Sequence, residues 1–179
     1  PKNKCHMGTY PVRFTNKDKN LDKTEILKEL GLNSNQKTIF VLGGSQGSIG
    51  INKLISNAAS ELKEFQIIHQ TGAQDKFDYA KHYKALDINC FVTKYYNKME
   101  KLLTACDIVI CRSGAGTLAE VVFFEKKCIT IPLEAYTTIH QVDNAKAVAK
   151  EHPELITFAR QNELENEPNK LIEIINTKI

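Results

Sequence analysis

Short apolar runs rich in β-branched residues alternate with segments of helical period, about one pair every 25 residues, from Thr38 onward. A chain that repeats strand, turn and helix in this way is expected to be α/β. Its sheet should be parallel with helices on both faces, because each crossover helix must pack back onto the sheet. With 179 residues and 42% hydrophobic content, the chain can bury one sizeable core, and one domain is expected.

The elements read as follows. Asn20 to Gly31 predicts a helix capped by Asp22 and closed by Gly31. Thr38 to Leu42 predicts the first strand, ending at Gly43-Gly44-Ser45-Gln46-Gly47-Ser48, with a helix from Ile49 to Leu62. Further strands are expected at 65–69, 89–93, 107–111, 128–131 and 155–158. Helices are expected at about 75–86, 100–106, 139–150 and 162–175, the last interrupted near Pro168. The glycine turn after the first strand matches neither the P-loop nor the full G-x-G-x-x-G pattern.

In a parallel sheet every such turn follows the carboxyl end of a strand, so all of them crowd one edge. Gly43 to Gly47, Gln70 to Gly72, Tyr95 to Met99, Arg112 to Thr117 and Pro132 to Gln141 are therefore expected to face one ligand. The most informative of these turns follows Asp107-Ile108-Val109-Ile110-Cys111. There Arg112-Ser113-Gly114-Ala115-Gly116-Thr117 is free of bulk on the way into a helix, a setting in which backbone N–H groups can meet a phosphate. Two readings stand side by side. Thr117 and Glu120 form a capping box and Arg112 is a surface charge, or Ser113 to Thr117 receive a phosphate while Glu120 grips a ribose diol.

Composition excludes several classes. The net charge of +3 arises from mixed signs along the chain without a basic arm, so nucleic acid is not expected as a partner. Five cysteines (Cys5, Cys90, Cys106, Cys111 and Cys128) lack paired spacing and read as reduced, mostly buried thiols of a cytosolic protein. Neither a signal peptide nor a membrane-spanning apolar stretch is visible. The acidic residues are dispersed, and no His/Cys set has metal-ligand spacing, so no metal and no cofactor is expected.

Five blocks, in this order, resemble the C-terminal domain of the MurG family of bacterial inverting glycosyltransferases. They are Tyr10-Pro11-Val12-Arg13; Gly43-Gly44-Ser45-Gln46-Gly47; His69-Gln70-Thr71-Gly72; Arg112-Ser113-Gly114-Ala115 with Thr117 and Glu120; and His140-Gln141 with Asn144-Ala145. Tyr10 stands where the family usually has Asn. Members of the family move N-acetylglucosamine from UDP-GlcNAc onto lipid I to make lipid II in peptidoglycan synthesis. The resemblance implies a Rossmann-like fold forming one half of a GT-B glycosyltransferase.

The resemblance also implies roles. Arg13, with Gly44 and Ser45, would contact the donor diphosphate, and Tyr96 would lie where the family holds uracil through backbone groups. Ser113, Gly114, Ala115, Gly116 and Thr117 would meet the phosphates, and Glu120 would take the ribose hydroxyls. His140 and Gln141 would reach the sugar hydroxyls, with Asn144 nearby. Family members carry a second, N-terminal domain that holds the acceptor and a proposed His base. Residues 1–179 are therefore expected to be the C-terminal donor domain alone, with no catalytic base and no activity of its own. The full enzyme would be a peripheral protein on the cytoplasmic face of the inner membrane, meeting lipid I through its other half. Two other readings share the fold: a stand-alone UDP-GlcNAc-binding subunit of a two-protein transferase, and a non-catalytic or dinucleotide-dependent nucleotide-binding domain.

Overall fold

A computed structural model describes residues 10–43, 47–134 and 139–179. Six parallel strands form one sheet: β1 (Thr38–Leu42), β2 (Gln66–Gln70), β3 (Cys90–Thr93), β4 (Ile108–Cys111), β5 (Lys127–Thr130) and β6 (Ile156–Phe158). Their spatial order is β3-β2-β1-β4-β5-β6. The chain thus winds outward from β1 to one edge, then returns to lay β4 on the other side of β1, pairing Val41 with Ile110 and Leu42 with Cys111. The carboxyl ends of β1 and β4 mark the place where the order reverses, and open α/β sheets leave a crevice there.

The helices are α1 (Asn16–Lys19), α2 (Lys23–Glu29), α3 (Ile49–Ala58), α4 (Tyr79–Ala85), α5 (Met99–Ala105), α6 (Ala115–Phe123), α7 (Ile139–Glu151), α8 (Gln161–Asn166) and α9 (Pro168–Lys178). Because successive strand side chains face opposite ways, β1 feeds two cores. Ile39 and Val41 pack with Ile51 and Ile55 of α3, Tyr83 of α4 and Leu171 of α9. Phe40 and Leu42 pack with Leu27 of α2, Leu102 of α5 and Val121 of α6. The helices that follow β1 and β4 therefore cover opposite faces, which opens the crevice between them.

Several boundaries differ from the sequence reading, each for a local reason. The helix expected from Asn20 starts at Lys23, because Asp22 serves as its N-cap, accepting from the backbone of Thr24 at 2.7 Å and Glu25 at 3.1 Å. The helix expected from about Asp75 starts only at Tyr79. The Asp75 carboxylate instead accepts from Phe77 N, Asn52 Nδ2 and Tyr79 Oη, and Asp78 caps the helix through Lys81 N. The last helix divides as anticipated, with Pro168 opening α9 where its missing N–H costs nothing. Cys106, Cys111 and Cys128 are buried free thiols and Cys90 is half-buried, whereas Cys5 lies outside the described residues.

Candidate functional site

Over the carboxyl ends of β1, β2 and β4 lies a cleft of about 620 Å³. Leu42, Gly43, Gly47 and Ser48 line it from the β1–α3 turn, Gln70 from β2, and Tyr95, Tyr96 and Met99 from the exit of β3. Gly114, Gly116, Thr117 and Glu120 line it from the start of α6, and Arg13, Arg112, Leu133 and Gln141 complete the wall.

The start of α6 is the most polar part of this wall. Gly114 is its N-cap, with φ −65° and ψ 133°, and no side chain caps the helix. The first intrahelical bond runs from Leu118 N to Gly114 O, which leaves the N–H groups of Ala115, Gly116 and Thr117 without a helix acceptor. Three donors at the positive end of the helix dipole are groups that an anion would need. A Cβ added at Gly114 would meet only Thr117 Oγ1 at 3.9 Å, and one at Gly116 only the Tyr10 ring at 3.7 Å or more. Packing among the described residues therefore requires neither glycine, and bare backbone lets a ligand approach.

The structure corrects the capping-box reading. Because α6 begins at Ala115, Thr117 is its third residue and Glu120 its sixth, beyond the first turn. Glu120 instead stands on the cleft wall with its side chain 20% exposed, 3.5 Å from Arg13 Nε. Burial pushes the Glu120 carboxyl above its usual pKa, and the neighbouring Arg13 guanidinium works against that rise. The cleft thus joins a cation, a carboxylate and an uncapped helix start.

Arg112 is not the surface charge of the first reading. It is 8% exposed and serves as a tie between elements. Its Nε donates to Ser48 Oγ at 2.9 Å, Nη1 to the carbonyls of Ile131 and Pro132 at 3.1 Å, and Nη2 to Gln161 Oε1 at 2.7 Å. One guanidinium therefore holds the α3 cap, the exit of β5 and the start of α8 in fixed relation. No local sequence signal marks such a role, since the partners lie 19 to 64 residues away.

The remaining expected residues are divided between regions. Arg13, Tyr96, Gly114, Gly116, Thr117, Glu120 and Gln141 come together in the cleft. Ser113 does not line it: its side chain is fully buried, and its Oγ accepts from Thr130 Oγ1 at 2.9 Å. Ala115 and Asn144 line a neighbouring, more apolar cleft between α6 and α7, and Asn144 Nδ2 reaches Ser113 O at 3.4 Å. His140 is exposed in the first turn of α7 and lines neither cleft. Gln141 Oε1 accepts from Leu133 N at 3.1 Å, joining α7 to the chain leaving β5. Gly44 and Ser45 lie outside the described residues.

The His69-Gln70-Thr71-Gly72 block also divides, because the strand sends neighbouring side chains to opposite faces. His69 enters a buried network in which its Nε2 meets Asn52 Oδ1 at 3.0 Å and its Nδ1 meets Tyr83 Oη at 2.8 Å. Asn52 Nδ2 donates to Thr71 O and Asp75, so its Oδ1 accepts from His69 Nε2–H, and Nδ1 accepts from the tyrosine. Burial pushes the His69 pKa down to about 3, which keeps the ring neutral as this network requires. Gln70 turns the other way, into the cleft wall, where its Oε1 accepts from Tyr96 N at 3.1 Å. Tyr96, in the loop where the family resemblance puts uracil, thus has its own N–H bonded to Gln70. Gln70 belongs to a turn expected to face the ligand, whereas Ser48 was not among the expected contacts; the available signal there was a polar residue opening a helix. Among the described residues no group of three or more His, Cys, Asp or Glu is placed to hold a metal.

Residues 38–178 match the glycosyltransferase family 28 C-terminal domain. The UDP-N-acetylglucosamine--N-acetylmuramyl-(pentapeptide) pyrophosphoryl-undecaprenol N-acetylglucosamine transferase of Protochlamydia amoebophila is 39% identical over 128 residues, covering 70% of this chain and 34% of that protein. The transferase of the same name from Campylobacter jejuni is 38% identical over 142 residues, 78% of this chain and 39% of that protein. The chain spans about a third of the length of the curated relatives it matches. Among solved structures, Acinetobacter baumannii MurG superposes with a TM-score of 0.66 at 25% identity, over 85% of this chain and 44% of that one. The glycosyltransferase SnogD from Streptomyces nogalater shares the fold with a TM-score of 0.55 at 20% identity, over 74% of this chain and 33% of that one.

Proposed function

The chain belongs to the glycosyltransferase family 28 C-terminal domain, and from that premise we propose that it binds UDP-GlcNAc as the donor half of an inverting N-acetylglucosaminyltransferase that converts lipid I to lipid II. The observation that carries this reading is the meeting of Arg13 and Glu120, 3.5 Å apart, beside the uncapped start of α6. A nucleoside diphosphate sugar needs both kinds of group. Its pyrophosphate takes the guanidinium and the orphan N–H donors, and its ribose diol donates to the carboxylate.

The chemistry follows from this placement. The acceptor hydroxyl of lipid I attacks the anomeric carbon from the face opposite the pyrophosphate, so configuration inverts as the bond to UDP breaks. Negative charge then accumulates on the departing phosphate. The α6 N–H groups and Arg13 stabilise that charge more strongly than they stabilise the intact donor, which lowers the barrier. Proton removal from the acceptor falls to a base in the part of the enzyme beyond this span. Membrane contact belongs to the whole enzyme as a peripheral protein on the cytoplasmic face of the inner membrane. None of the described helices is long and apolar enough to cross a bilayer.

Calorimetric titration with UDP-GlcNAc, UDP, ADP and NAD tests the reading. Binding of UDP-GlcNAc and UDP in preference to the adenine nucleotides is expected. Tight binding of NAD with no response to UDP overturns it.

A further inference from the structure

Tyr10 has no part in the donor contacts described so far, and it stands where the family of the resemblance usually has Asn. Its ring lies against the open start of α6. A Cβ built on Gly116 would meet Tyr10 Cε1 at 3.7 Å and Tyr10 Oη at 3.8 Å. The residue is 57% exposed, and no described residue makes a hydrogen bond with its hydroxyl. A phenol O–H is thus left unspent beside a backbone N–H that has no helix acceptor.

Two clefts meet at this point. Gly116 and Glu120 line the first, whereas Ala115 lines the second together with Tyr10 and Asn144. Tyr10 and Glu120 therefore flank the helix start from different sides. On the reading that the first cleft holds a nucleoside diphosphate sugar, a ribose at Glu120 sets the direction of the ligand: the phosphate bonded to the ribose comes first, and the second phosphate lies further along, towards Tyr10. The point that a Gly116 Cβ would occupy is where an anion can rest on bare backbone, and the phenol oxygen is 3.8 Å from it. A small rotation of an exposed side chain closes that gap to hydrogen-bond distance. We propose that Tyr10 is a donor-binding residue whose O–H donates to the phosphate farther from the ribose, the one that carries the sugar. Charge accumulates on that phosphate as the sugar departs, so a fixed donor there favours departure.

Tyr10→Phe tests this, because it keeps the ring over Gly116 and removes the oxygen alone. Calorimetry on the intact chain should show UDP bound roughly fivefold more weakly than by wild type, the worth of one charge-assisted hydrogen bond at an open site, with the thermal melt unchanged. Phosphorus NMR of bound UDP resolves the two phosphates, and the variant should move the resonance of the terminal phosphate while leaving that of the ribose-linked one in place. An affinity within about twofold of wild type would mean that the hydroxyl meets no phosphate. A change confined to the ribose-linked resonance would mean that it meets the other one. Either outcome overturns the assignment of Tyr10 and leaves the donor reading intact, whereas failure of wild type to bind UDP overturns both.

Discussion

Two strand–turn–helix junctions meet at the reversal of the sheet, and their glycines have different causes. At β1–α3, Gly43 and Gly47 are demanded by the protein itself. A Cβ at Gly43 would lie 2.2 Å from Ser48 N, and one at Gly47 would lie 2.4 Å from Thr71 O, with φ +81° besides. Here Ser48 caps α3 through Ile51 N, and Asn52 ties the helix to Thr71 and His69. At β4–α6 nothing among the described residues presses on Gly114 or Gly116, and no side chain among them caps the helix. At the first junction Ser48 and Asn52 are spent within the fold, as a brace. At the second the first N–H groups of α6 have no helix acceptor.

The contrast breaks most easily at the brace. Asn52→Ala removes partners from His69 Nε2, Thr71 O and Asp75 in a buried setting, and a stability loss on the order of 3 kcal/mol is expected in urea unfolding. A loss below about 1 kcal/mol would mean the turn is held by backbone packing alone. Glu120→Ala is the corresponding change on the other side. UDP affinity should weaken by roughly 1–3 kcal/mol through loss of charged hydrogen bonds, while unfolding free energy stays within about 0.5 kcal/mol of wild type. A variant that loses stability and keeps its affinity would move Glu120 into the brace.

Acid sharpens the comparison further. Because burial lowers the His69 pKa from 6.5 to about 3, the unfolded chain takes up a proton that the folded one refuses. The stability contributed by the neutral ring is complete above pH 6.5 and is lost as pH falls towards 3, at a rate of at most about 1.4 kcal/mol per pH unit. Urea melts between pH 7 and pH 5 should show this slope in wild type and a shallower one in His69→Gln. The smallest effect is expected at Gly116→Ala. The added methyl sits at ordinary contact distance from Tyr10 and improves helix propensity by at most about 1 kcal/mol, so the fold is unharmed. UDP affinity should nevertheless fall a few-fold, because the methyl stands where the phosphate meets backbone; unchanged affinity would place the phosphate elsewhere.

Much of the architecture was legible locally. Thr38 to Leu42 was read with its observed bounds, since a five-residue β-branched and aromatic run ending in glycine admits few alternatives. Helix starts were less legible. Asp75 carries the composition of a first-turn residue, but its carboxylate serves Asn52 and Tyr79, and the helix waits until Tyr79. For the same kind of reason Thr117 and Glu120, at capping-box spacing, form no capping box: Gly114 had already adopted the cap conformation. Within the candidate site, Arg13 and Glu120 were named from blocks 107 positions apart and do meet. Ser113, named with them, is turned inward by Thr130.

The sequence by itself determined the alternation of strand and helix, the parallel sheet and the gathering of glycine turns along one edge. Those features follow from side-chain period and backbone freedom, which act over a few residues. Tertiary structure alone decided which polar groups are spent and which are left over. Arg112 is consumed by the scaffold, His69 is sealed in as a neutral ring, and Gln70 lines the cleft with its Oε1 held by Tyr96 N–H. Hydrogen-bond partners are chosen in space, often across dozens of residues, and a donor becomes available to a ligand only once every nearer acceptor has been placed.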